Sequence, residues 1–348
     1  VAADFTGDET AFAHQAAGRS ATHARRGQRK SAPSLIRARL LQGAKRQLPT
    51  FVIVMALIAG IGVMYQVADG VRWQASLPLW LAIGAGGGLA AGAALELARN
   101  TVTSVASLGK HRGYTVLGAA PELTPAALRE LPPDARTPLG CLAFQPASGF
   151  ATAFRDLQGA LDKSRLVSFI ASIPNDGAST TALGAAVSAR QQGRRVVLVD
   201  CDLRRRSLTR LFGRDPAVGV LEAATKPQNW RSVIDHEDET GLAFIPAAEL
   251  RSPWASLIGA PGLLALIEEL KRTYDLVILD CPPALANPEG PALASLADQC
   301  VLVAAWDDTT VANIRASMRA LLRRANAKVA VFVNRVPPGY RFGRLRPN

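Results

Sequence analysis

The chain has 348 residues, 49% of them hydrophobic and 20% charged, with a formal charge of +12. That composition supplies one sizeable core and membrane segments besides. Four cysteines without CxxC spacing and four histidines without ligand spacing argue against a disulfide framework and a protein-bound transition metal.

The charge is unevenly placed. Between Arg19 and Arg46 stand nine basic residues and no acidic one. Residues 1–47 hold few large apolar groups, a composition that predicts a mostly disordered basic arm, with an amphipathic pattern over 34–47. Because this run abuts a long apolar stretch and lacks interleaved aromatics, its expected partner is a membrane and not a nucleic acid.

Two apolar segments follow, 48–68 and 77–97, each reaching the roughly 20 residues that span about 30 Å of hydrocarbon. The second carries Gly84, Gly88 and Gly92, a spacing that puts small residues on one helix face for close approach of a neighbour. Basic residues flank both outer ends, so positive-inside asymmetry predicts a transmembrane hairpin over 48–97 in the inner (plasma) membrane, with both termini cytoplasmic. A buried helical pair is the alternative, and the lack of a charged stripe over 51–64 weighs against it. Residues 98–150, with Pro121, Pro125, Pro132, Pro133, Pro138 and Pro146, predict a linker that partly packs on the next domain.

From 151 onward strand and helix patterns alternate. Apolar β-rich runs at 165–172, 195–200, 242–246, 275–280, 300–305 and 328–333 are separated by helical stretches near 179–192, 261–273, 289–297 and 310–325. This predicts an α/β domain over 151–336, a mainly parallel sheet with helices on both faces, followed by a basic tail at 337–348. Ligands of such sheets bind at the carboxyl ends of the strands.

Three of those ends carry chemistry. The first strand runs into Ser172-Ile173-Pro174-Asn175-Asp176-Gly177-Ala178-Ser179-Thr180-Thr181 and an Ala-rich helix, a geometry that aims backbone N–H groups at a phosphate. Asp200-Cys201-Asp202 closes the second strand, and Asp280-Cys281-Pro282-Pro283 closes another. Carboxylates there suit Mg²⁺ and the polarisation of a hydroxyl or water. Helix capping is the simpler role for an aspartate such as Asp202.

With the runs Val197-Leu198-Val199-Asp200-Cys201-Asp202-Leu203-Arg204-Arg205 and Tyr274-Asp275-Leu276-Val277-Ile278-Leu279-Asp280, these motifs resemble the bacterial tyrosine kinases of capsule and exopolysaccharide synthesis. That family belongs to the deviant Walker A P-loop ATPases, and the resemblance covers about residues 150–336. It implies a P-loop NTPase-like fold preceded by paired transmembrane helices, with ATP or ADP and Mg²⁺ as cofactors. Asn175, Asp176, Gly177, Ala178, Ser179 and Thr180 are then the nucleotide loop, and Asn334 stands where related ATPases contact adenine. Asp200, Asp202 and Asp280 take the catalytic places, with Ser179 and Asp280 at the metal. The partners implied are polysaccharide polymerase and export machinery, with a homo-oligomer also open.

The departures are specific. Ala178 stands where the family has the P-loop lysine, the group that reaches the β- and γ-phosphates. Asn175 replaces a small residue, which its own tolerance of left-handed backbone allows. The family's subunit-contact positions read Thr152, Arg155 and Gln158, and of its C-terminal tyrosine cluster only Tyr340 is present. The resulting expectation is a membrane-anchored P-loop protein of polysaccharide biosynthesis and export, a regulatory or scaffold pseudokinase. An active autokinase with an atypical P-loop and a partitioning-type ATPase are the alternatives.

Overall fold

The computed structural model describes residues 48–49, 51–62, 64, 73–98, 101–103, 105, 108 and 114–340, except 162, 251, 253–254, 325–327 and 339. The predicted arm and most of the predicted tail lie outside the described residues. The chain divides into two units, 1–99 and 100–348.

In the first unit, α1 spans 51–62 and α2 spans Trp73–Ala98. Gly84, Gly88 and Gly92 are buried along one face of α2, as their spacing predicts. A Cβ at Gly84 would press on the Met55 backbone and one at Gly88 on that of Phe51, while Trp80 and Ile58 cover Gly62 and Gly87. The partners' numbers fall as those on α2 rise, so the two helices are antiparallel and meet through glycine. Leu57, Ile61, Leu79 and Leu89 point outward and are exposed. Among the described residues no helix is long and apolar enough to cross a membrane. The expected spans 48–68 and 77–97 appear as a paired helical unit, its first helix described over 48–49, 51–62 and 64. The second helix begins at Trp73, earlier than its apolar run suggests.

The second unit is an α/β domain. Its elements are β1 (Val116–Pro121), α3 (Pro125–Arg129), α4 (Pro138–Phe144), α5 (Gly149–Leu161), β2 (Leu166–Ala171), α6 (Ala178–Gln191), β3 (Val196–Asp200), α7 (Ser207–Leu211), α8 (Val220–Thr225), β4 (Asp235–His236), β5 (Ala243–Ile245), α9 (Leu263–Thr273), β6 (Leu276–Cys281), α10 (Glu289–Ala294), β7 (Gln299–Ala305), α11 (Val311–Leu322) and β8 (Lys328–Val336). The eight-stranded sheet has the order β1-β8-β7-β2-β6-β3-β5-β4. Every pairing is parallel except that of β4 with β5.

The central strands β2, β3 and β6 are buried at every residue, which is why their sequences are continuous apolar runs. Successive side chains alternate between two cores. Leu166 and Ile170 join Val277, Leu279, Cys300 and Leu302 under α9, α10 and α11. Val167, Phe169 and Ala171 join Ile278, Val301 and Val303 under α5 and α6. Gly184 is forced by that second layer, since a Cβ there would overlap the ring of Phe154.

Residues 98–150, expected as a linker, contribute more than connection. They supply the edge strand β1, which pairs with β8, and α4, which packs on α6. The amide of Val102 also donates to the carbonyl of Thr309 at 3.0 Å. The prolines start elements here: Pro125 and Pro138 sit in the first turns of α3 and α4, where no N–H is missed, behind the capping hydroxyls of Thr124 and Thr137.

Strand β6 lies between β2 and β3, so the chain leaving β2 passes over a neighbour before re-entering the sheet. That reversal opens a crevice at the carboxyl ends of β2, β3 and β6.

Candidate functional site

The loop leaving β2 turns sharply in two places. Asn175 has φ 71° and Gly177 has φ 94°, both left-handed. At position 177 glycine is obligatory twice over, because a Cβ would also overlap the side-chain amide of Asn334. Helix α6 begins immediately after, without a side-chain cap on Gly177. Its first N–H groups are thus left for a ligand.

Asp176 does not face the crevice. It is 1% exposed, its Oδ2 accepts from the Ile173 amide at 3.1 Å and its Oδ1 from the Thr309 hydroxyl at 2.8 Å. Burial pushes its carboxyl up to about 6, against the pull of those two donors. Its role is to tie the loop to the end of β7. Asn334 is likewise spent on the loop, its amide donating to the Asp176 carbonyl at 3.3 Å.

The three strand-end carboxylates come together, and they differ in what they do. Register aligns Asp200 with Asp280 across the β3–β6 pair. Asp200 is fully enclosed; its Oδ2 accepts from the amide and hydroxyl of Thr209 at 2.9 and 2.7 Å, and its Oδ1 from the Asp202 amide at 3.2 Å. It fixes the wall of the crevice. The Thr209 hydroxyl accepts in turn from the Ala247 amide at 2.9 Å, linking β3, α7 and β5. Asp202 lines the crevice, its Oδ1 accepting from the Arg205 amide at 3.1 Å.

Asp280 is 1% exposed, and the Ser179 hydroxyl on α6 hydrogen-bonds to its carboxylate. Its Oδ2 has no hydrogen-bond partner. Burial, and next the charge of Asp200, hold the Asp280 carboxyl well above the usual range. A desolvated carboxylate oxygen without a donor is costly unless a cation or proton meets it.

Among the described residues no group of three His, Cys, Asp or Glu side chains is placed to hold a metal by itself. Mg²⁺ at a phosphate site ordinarily takes one or two protein oxygens and completes its shell with phosphate and water. Ser179 and the unpartnered Asp280 oxygen fit that requirement, and the tight Gly177 turn leaves the helix amides open to phosphate. The crevice, about 270 Å³, is lined by Asn175, Gly177, Ala178, Ser179, Thr180, Asp202, Arg205, Ser207, Leu211, Cys281 and Pro283. Predicted residues Asn175, Gly177, Ala178, Ser179, Thr180 and Asp202 therefore share one cavity. Asp176, Asp200 and Asn334 stand behind it as supports.

Sequence reasoning considered Arg205 within the run 204–206 as a phosphate or subunit contact or a solvated charge, without joining it to Asn175, and missed Arg335 as a partner of the loop. Arg205 Nη2 donates to Asn175 Oδ1 at 3.1 Å, and Arg335 Nη2 donates to the Asn175 carbonyl at 2.9 Å and to Asp308 Oδ2 at 3.2 Å. It also missed Thr209 and Thr309, because a lone threonine in a loop carries no spacing signal. The three positions that the resemblance assigns to subunit contact lie on α5, and one of them, Arg155, keeps the family's residue type. Arg155 donates to the Thr152 hydroxyl at 2.8 Å, while Gln158 is 1% exposed and turned into the core.

An AAA domain family matches residues 175–317. The succinoglycan biosynthesis transport protein ExoP of Rhizobium meliloti is 28% identical over 179 residues, 49% of this chain and 23% of the relative. The putative tyrosine-protein kinase EpsB of Ralstonia nicotianae is 31% identical over 191 residues, 54% of this chain and 25% of the relative. The chain thus spans about a quarter of the length of these two curated relatives. Among solved structures, the kinase domain of Escherichia coli tyrosine kinase ETK superposes with a TM-score of 0.62 at 20% identity, covering 71% of this chain and 100% of that one. Motifs, sequence match and fold agree: the α/β domain of this chain is a relative of the bacterial tyrosine-kinase domains of exopolysaccharide assembly, with an alanine where the P-loop lysine would stand.

Proposed function

We propose that the chain is a membrane-anchored regulatory or scaffold protein of exopolysaccharide or capsule biosynthesis and export, whose P-loop-type domain binds nucleotide and transfers phosphate poorly or not at all. One observation carries this reading: a crevice lined by Asp202 and by Ser179, which hydrogen-bonds to the buried Asp280, has the methyl group of Ala178 in the first turn of α6. In this reading the loop amides, Ser179 and Thr180 bind the phosphates, and Asp200 holds the wall. Asp280 and Ser179 would hold Mg²⁺, which when bound supplies charge neutralisation at the phosphates. The tyrosine of this segment is also engaged. Tyr340 packs on Trp306 with ring centroids 4.8 Å apart, and its hydroxyl accepts from the Val105 amide at 3.3 Å, so it is held against its own domain.

The glycine-mediated pairing of α1 and α2, with leucines outward, supports a hairpin anchor in the inner membrane and a cytoplasmic α/β domain. Polymerase and export machinery are the proposed partners, by likeness to the relatives' names. Incubation of the full chain with labelled ATP tests the reading, and weak or absent incorporation into tyrosine is expected. Robust tyrosine labelling, lost in Asp280→Asn, would instead establish an active autokinase.

A further inference from the structure

Loss of the P-loop lysine leaves a polyphosphate without its main protein cation, since a helix N-terminus contributes only about half a charge. Among the described residues, the crevice lining contains one basic side chain, Arg205. It starts from the turn after β3, whose backbone is fixed by the Arg205 amide donating to Asp202 Oδ1 at 3.1 Å. Its guanidinium reaches across the crevice and donates to Asn175 Oδ1 at 3.1 Å. Two nearby arginines, Arg206 and Arg335, are directed elsewhere. Arg206 donates to the Ala247 carbonyl and pairs with Asp215 at 2.7 Å, and Arg335 meets the Asn175 carbonyl and Asp308 on the far side of the loop.

The two departures at this loop thus belong together. Ala178 removes a cation from the helix start, and Asn175, held at φ 71°, presents the side-chain oxygen that brings another cation over the same turn. The anchor is a neutral carbonyl oxygen, and the carboxylate that feels the Arg205 charge is Asp202 of the same crevice. With one N–H of its fork on Asn175, the group retains donors for phosphate oxygens, the geometry in which arginine binds phosphate best. The Ser179 hydroxyl, which lines the crevice, hydrogen-bonds to the buried Asp280 carboxylate, whose Oδ2 has no partner.

We propose that Arg205, positioned by Asn175, replaces the missing P-loop lysine as the phosphate-binding cation, so that the crevice takes the terminal phosphates of a nucleoside di- or triphosphate. This rests on the nucleotide-binding reading above and adds the residue that makes it workable. An arginine entering from the β3 turn would hold the phosphates without the ammonium of α6, and so favours binding over transfer.

The test is equilibrium binding of Mg·ADP and Mg·ATP to the full chain and to Arg205→Ala, Arg205→Lys, Asn175→Gly and the pair Arg205→Ala with Ala178→Lys. Arg205→Ala should weaken binding about 10- to 100-fold, the worth of a charge-assisted hydrogen-bond donor. Arg205→Lys should fall between, and Asn175→Gly should weaken binding while leaving the charge in place. Adding Ala178→Lys to Arg205→Ala should restore affinity, which a purely structural Arg205–Asn175 clamp would not permit. Affinity unchanged in Arg205→Ala, with wild type binding well, overturns the role of Arg205 and leaves the nucleotide reading intact. A folded wild type that binds neither nucleotide at millimolar concentration overturns both.

Discussion

The side-chain amide of Asn334 donates to the main-chain carbonyl of Asp176 and fills the space that any side chain at position 177 would need. A residue from the last strand thereby fixes the conformation of a loop that follows the second. The loop after β2 is therefore shaped by β8 as much as by its own sequence.

That relationship gives the first prediction. Gly177→Ala should destabilise the domain by about 2–4 kcal/mol, combining a left-handed backbone with overlap on Asn334. Denaturant unfolding measures it. Asn334→Ala in the same chain should recover the steric part and leave the backbone part, so the two changes should be non-additive.

Asp176 sets a pH dependence. Its folded-state pKa of about 6 lies above the ordinary 3.8, so the folded chain binds the extra proton between those values. Unfolding free energy contributed by this group should then fall as pH rises from about 4 to about 6 and level off above. Chemical denaturation across that range checks the sign, and Asp176→Asn should flatten this part of the profile. A profile rising through the window in wild type and unchanged in the variant would contradict the assignment.

Asp280 should behave as a residue kept for a ligand. Without nucleotide or Mg²⁺, Asp280→Asn removes a buried ionisable group that faces Asp200, and the melting temperature should rise by roughly 2–6 °C. The same substitution should abolish any stabilisation that Mg·ADP confers on wild type. A fall in melting temperature with ligand stabilisation intact would mean the carboxylate serves structure alone.

Ala178→Lys should raise nucleotide affinity by about tenfold or more, because the new ammonium enters the crevice beside Ser179 at the helix N-terminus. Tyrosine phosphorylation should stay low. Tyr340 is held by Trp306 and Val105, and Gln158, a position that the resemblance assigns to subunit contact, is buried. Titration calorimetry and labelled ATP give the two readouts.

Reporter fusions test the proposed anchor. Fusions before Leu48 and after Asn100 should both report cytoplasm, and an insertion near Gly70 should report the opposite side. An external signal from the Asn100 fusion would remove the hairpin proposal.

Local pattern alone determined much of the second unit. Six strands are legible because buried parallel strands must be apolar on both faces, and the Gly177 turn is legible because a strand, a polar loop and an Ala-rich helix leave few other geometries. The glycine spacing of α2 likewise announced its packing face. Edge strand β1 escaped, since prolines and short apolar runs carry no period and its strand identity comes from pairing with β8. What only the tertiary structure decided is the division of labour among the aspartates. Asp176, Asp200 and Asp280 share one residue type, yet the donors offered by Thr309, 133 residues from Asp176, and by Thr209, 9 residues from Asp200, turn the first two into supports. Asp280 alone keeps an oxygen without a protein partner, because the β3–β6 register encloses it where no donor reaches.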